Sequence, residues 1–164
     1  MPTKVNRLRH YGVRNMYPFR YEVSLRIWHP SMDVEQICDR LGMKPTRKWT
    51  VGRRRETPKG FPLNGVNEST YCFFRLEHPE GIQLVDFIDV YSDELYRHKG
   101  FFEELRSTGG SLEYFIGWYS DRNSGQVFNL GLLSKLVALG IGLSIDFYGG
   151  SDDMIDQGDE LPAG

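Results

Sequence analysis

The chain has only two cysteines, Cys38 and Cys72, and they lie far apart in the sequence. No C-x-x-C, H-x-H or H-E-x-x-H spacing occurs, and the four histidines are scattered, so no metal or cofactor is expected. There is no G-x-S-x-G nucleophile turn, and Cys38 falls on an apolar helical stripe, where a thiol behaves as a small hydrophobe. No apolar run approaches the roughly 18 residues of a membrane span. The first twenty residues lack an apolar core, so no secretory signal is expected, and two unpaired cysteines suit a reducing cytoplasm. The glycines of RSTGGS and YGGSDD do not form a phosphate cradle. The first leads into a strand, and acids follow the second where phosphate would sit.

What is present is a one-domain length of 164 residues with 40% hydrophobic and 13% aromatic content. A net charge of −2 conceals two opposed halves. Residues 1–60 carry 14 Lys and Arg against 5 Asp and Glu, and residues 61–164 carry 6 against 17. Such halves can attract within one fold or between two copies, so a homo-oligomer is open. The acidic half argues against strong general affinity for phosphates.

Three segments alternate with period two and read as half-buried strands: YEVSLRIW, TYCFFRLE and LEYFIGWY. Their inward sets are Tyr21, Val23, Leu25 and Ile27; Cys72, Phe74 and Leu76; and Leu112, Tyr114, Ile116 and Trp118. LSIDFY is a fourth, with Leu143, Ile145 and Phe147 inward. Asp33 is an N-cap with Gln36 closing a capping box, Val34, Ile37, Cys38 and Leu41 form a stripe, and Gly42 ends the helix. Leu84, Phe87, Ile88, Tyr91 and Leu95 mark a long helix that Gly100 should break. Asn129 and Gly140 bracket a last helix. Pro30 and Pro79 account for the two His-Pro junctions, because proline suits a first helical turn.

The expected fold is a two-layer α+β domain over residues 20–149. Its sheet has four or five strands in strand-helix-strand order, with helices mainly on one face; a fully covered parallel sheet would show continuous apolar runs instead. Residues 1–19 form a basic arm expected to be mobile, and residues 150–164 an acidic tail expected to be disordered. The motifs Leu41-Gly42 with Pro45, and Leu139-Gly140 followed by Ile145-Asp146 and Tyr148, resemble the bacterial family known as domain of unknown function 4279, over about residues 21–149. The family's tryptophan near the start of the second long strand is replaced here by Tyr71. The resemblance implies a small bacterial cytoplasmic protein and transfers no catalytic residues.

Two candidate surfaces emerge. The outward sheet face offers Arg26, Trp28, Tyr71, Arg75, Glu113, Tyr119, Asp146 and Tyr148, a mixture typical of binding surfaces, with Gly117 leaving room for a ligand. Arg26 or Arg75 could grip a carboxylate. Alternatively, the arm or a second subunit covers that face. The segment RKWTVGRRRETPKG carries Arg47, Lys48, Arg53, Arg54, Arg55 and Lys59. It can guard a sheet edge, dock an acidic protein or contact nucleic acid, with Trp49 and Phe61 either stacking on bases or anchoring in the core. Trp49 and Val51 share a parity that suits a core-facing edge strand, and Pro58-Lys59-Gly60 and Asn64-Gly65 read as turns. The leading expectation is a non-enzymatic module that binds a protein or small ligand on the aromatic face. The alternatives are a nucleic-acid binder using the arm and the 47–60 loop, and an enzyme using Asp146 or Glu113 with an arginine anchor.

Overall fold

A computed structural model describes residues 18–149, so the arm up to residue 17 and the tail from residue 150 lie outside the described residues. The chain runs β1 (Arg20–His29), α1 (Val34–Leu41), β2 (Arg47–Trp49), β3 (Arg54–Glu56), β4 (Pro62–Val66), β5 (Thr70–Leu76), α2 (Leu84–Leu95), α3 (Lys99–Ser107), β6 (Ser111–Tyr119), α4 (Leu130–Leu139) and β7 (Gly142–Tyr148). Five strands form one mixed sheet in the order β2-β5-β1-β6-β7, and β3 and β4 form a separate hairpin. All neighbours in the main sheet are antiparallel except β6 and β7. The β6-α4-β7 unit is therefore a parallel crossover, for which a helix is the usual connection. The β1-α1-β2 unit has the same shape, but β5 is inserted between its two strands.

The inward sets of β1, β5 and β6 are buried with the helices in one core, as the alternation predicts. Phe74, Phe102, Leu25, Ile27, Ile88 and Leu105 are at most 1% exposed, and each contributes about 1.5–3 kcal/mol by leaving water. The helices occupy this face, and among the described residues no helix covers the other face of the sheet. That is the two-layer α+β arrangement.

Capping follows the sequence closely. Asp33 accepts from the Glu35 amide at 2.8 Å and Asn129 from the Leu132 amide at 3.0 Å. Gly42 and Gly140 close their helices with φ of 65° and 69°, a region favourable only to glycine. The capping box is half formed, since Gln36 returns no hydrogen bond among the described residues.

Four expectations need correction. Ile145 and Phe147 share the side of Ile116 and Trp118 but are 51% and 57% exposed rather than buried, because β7 is an edge strand that the helices leave largely uncovered. Gly100 does not break the long helix. The break is a 3-10 turn at Tyr96–His98, and Gly100 lies in the first turn of α3. Asn64-Gly65 is not a turn; it lies within β4, where Gly65 takes φ 84° beside an irregular register. Trp49 does not face the helix-side core. It pairs in register with Tyr71, while Lys48 points to the helix side and bonds Glu35.

Candidate binding face

The sheet register fixes the layout of the open face. One row across it reads Trp49, Tyr71, Trp28, and the next reads Arg47, Phe73, Arg26, Glu113. A third reads Arg75, Ser24, Phe115, Ser144, followed by Glu22, Gly117, Asp146 and then Arg20, Tyr119, Tyr148. Eight residues proposed from sequence thus share one face. Tyr71 is the exception in access, because Trp28 and Trp49 flank it at 5.2 and 4.3 Å between ring centroids and it is 8% exposed. Burial raises its phenol pKa above the ordinary value.

Arg26 is central. Its guanidinium carbon lies 3.3 Å from the Phe115 ring centroid and 5.8 Å from that of Phe73. Such cation–π stacking contributes about 0.5–2 kcal/mol. Glu113 approaches Arg26 at only 3.8 Å, because its other oxygen accepts from Ser144 Oγ at 2.6 Å. Arg26 Nε is fully buried and has no hydrogen-bond partner among the described residues. Arg75 stands 3.7 Å from Glu22. Tyr119 and Tyr148 stack at 4.8 Å, and Tyr148 donates to Asp146 at 2.7 Å. That hydrogen bond is the main cause that raises the Tyr148 pKa.

Between these side chains lies a hollow of about 190 Å³, with Ser24 and Gly117 among its lining. Gly117 serves it differently from the sequence reading. A Cβ there would come within 3.1 Å of Tyr119 Oη, so the space freed by glycine is taken by the tyrosine ring. A second, open depression of about 400 Å³ adjoins the end of α1 and includes Cys38, Glu35 and Lys48. Its lysine and glutamate are already paired, and burial raises the Cys38 pKa, which keeps the thiol protonated.

The basic strip divides in two. Arg47 and Lys48 lie on edge strand β2, where Arg47 stacks on Trp49. Arg53, Arg54, Arg55 and Lys59 lie on or beside the β3-β4 hairpin and are exposed. Among the described residues none of these four forms an ion pair. Phe61, 64% exposed, is no core anchor. Asn67 secures the hairpin base: its amide donates to the Arg53 carbonyl at 2.8 Å and its side chain to the Thr50 carbonyl at 3.2 Å.

Sequence reasoning missed the structural role of His29. The ring is 2% exposed. Nδ1 accepts from the amides of Ser31 at 3.1 Å and Met32 at 2.8 Å, and Nε2 lies 2.8 Å from Thr108 Oγ1. No local pattern signals this, because Thr108 arrives from the distant end of α3.

Among the described residues no group of three His, Cys, Asp or Glu could hold a metal, and no helix is long and apolar enough to cross a membrane. The geometry defines a two-layer α+β domain with one sheet face open and lined by arginines and aromatics. The profile of the family described as domain of unknown function (DUF4279) matches residues 19–150, and the chain belongs to that family. No curated protein and no solved structure gives a significant match.

Proposed function

We propose that this chain is a non-enzymatic interaction module whose open sheet face binds a protein segment or a small ligand. The observation that carries this reading is Arg26: its guanidinium is packed against aromatics, lines the hollow of the open face and makes no hydrogen bond among the described residues. Binding surfaces favour arginine and aromatic side chains because each buries much area while keeping a polar edge. A bacterial cytoplasmic setting is part of this reading, supported by the family resemblance and by the two free, buried thiols Cys38 and Cys72. A thermal-shift screen of metabolites and peptides, followed by calorimetry, tests the site. An Arg26→Ala, Tyr148→Ala double variant should lose at least about tenfold in affinity, or 1.4 kcal/mol. Unchanged affinity for every ligand found would overturn the assignment.

A second reading rests on the four exposed cations of the hairpin, which form no ion pair among the described residues and suit nucleic acid. It requires affinity for duplex DNA that falls with salt at a log–log slope of about −0.9 per neutralised phosphate. Replacing Arg53, Arg54 and Arg55 with Ala should flatten that slope. Binding that salt does not weaken, or no binding at low salt, removes this reading.

A further inference from the structure

We infer that the hollow beside Arg26 takes an organic carboxylate; this rests on the reading of the open face as the binding surface. A guanidinium has five N–H donors, all in its own plane. Arg26 is stacked face-on to Phe115, so any further partner must meet it at its edge. There the protein supplies too little. Glu113 Oε1 stands at 3.8 Å, beyond hydrogen-bond reach, while Oε2 is committed to Ser144. Arg75 Nη2 is likewise 3.7 Å from Glu22. Among the described residues neither guanidinium makes a hydrogen bond, yet both line the same hollow.

Two oxygens of one planar carboxylate match the edge of an arginine, which favours this group over a single-point acceptor. Size and charge narrow the class. About 190 Å³ is below the 300–1,000 Å³ typical of drug-sized ligands, so the fit is to a short acid. Glu22 lines the hollow, and Asp146 stands in the same row of the sheet. They repel a doubly charged phosphate more than a singly charged carboxylate. The rings of Phe73 and Tyr148 in the lining suit a flat apolar body behind the acid.

The test is an amide NMR titration of the full chain with sodium benzoate, its neutral counterpart benzamide, and phenyl phosphate. Benzoate should give saturable shifts at the amides of Ser24, Phe115 and Gly117. Benzamide should bind at least about tenfold more weakly, and phenyl phosphate no more tightly than benzoate. Arg26→Gln should lose at least about tenfold, with its other amide shifts preserved as proof of folding, and Arg75→Gln should weaken binding independently. Saturation by benzamide at equal affinity would overturn the carboxylate assignment and leave the open face as a binding surface. An undiminished benzoate response in Arg26→Gln, or no saturable response to benzoate at these amides, overturns it equally. The broader reading fails separately, through the double variant's unchanged affinity for its own partners.

Discussion

Lowering the pH should destabilise this protein through His29 before the carboxylates titrate. Thr108 Oγ1 lies 2.8 Å from the Glu104 carbonyl, to which its hydroxyl donates, so it accepts from His29 Nε2. The ring is therefore the Nε2–H tautomer, with Nδ1 as acceptor for two backbone amides. A proton on Nδ1 would remove both bonds inside a buried site. Burial accordingly lowers the His29 pKa below 6.5. The sign follows from linkage. Below 6.5 the unfolded chain binds a proton that the folded chain resists, so stability is complete above that value and is lost as pH falls through the folded pKa. The ceiling is about 1.4 kcal/mol per pH unit, so at most about 1.4 kcal/mol disappears between pH 7.5 and 5.5 through this group. His29→Gln should cost about 1–3 kcal/mol at pH 7.5, since three hydrogen bonds are disturbed. The decisive quantity is the difference of differences. Urea unfolding at both pH values should show the wild type losing more stability than the variant, by no more than about 1.4 kcal/mol. His98, whose pKa burial also lowers, is present in both proteins and cancels. Equal losses in wild type and variant would refute the reasoning.

Gly110→Ala should cost about 2–4 kcal/mol in urea unfolding, because the new Cβ would lie 2.7 Å from the Leu105 carbonyl oxygen and 2.8 Å from His29 Cδ2. A cost under 0.5 kcal/mol would show that His29 is not fixed there. Tyr114→Phe leaves the buried Ser92 Oγ without its 3.1 Å partner and should cost about 1–3 kcal/mol by the same assay. Replacing Arg53, Arg54 and Arg55 with Ala should leave unfolding free energy within about 0.5 kcal/mol per site, since all three are exposed and form no ion pair among the described residues. A larger loss would give the hairpin cations a structural role.

The residues that alternation and capping can specify were legible. The inward sets of β1, β5 and β6, the Asp33 and Asn129 caps and the Gly42 and Gly140 termini are encoded within a few residues of themselves. What failed required knowledge of neighbours. Parity correctly grouped Ile145 with Leu143 and Phe147, but parity does not say whether a helix covers the strand. The insertion of β5 between β1 and β2 leaves no periodic trace. It also decides that Trp49 meets Tyr71 on the open face. Gly117 was read as space for a ligand, but the Tyr119 ring two residues on occupies that space. The candidate face was legible as a list of residues. Its energetic asymmetry was not, because the donors of Arg26 and Arg75, unmet among the described residues, depend on distances of 3.8 and 3.7 Å that only the assembled sheet sets.

That asymmetry separates the two faces of the sheet. On the helix side even distant polar groups are matched: Ser92 with Tyr114, and His29 with Thr108 and two amides. A fold able to satisfy buried polar groups across such sequence separations had the means to pair Arg26, for Glu113 is its register neighbour on β6. Instead Ser144 holds one Glu113 oxygen at 2.6 Å while Arg26 lies flat on Phe115. Optimising stability alone would favour a closed arginine–carboxylate bond there, because a buried unpaired donor costs about 1–3 kcal/mol. The terminal nitrogens of Arg26, which line the hollow and make no hydrogen bond among the described residues, are where an acceptor from another molecule would be met.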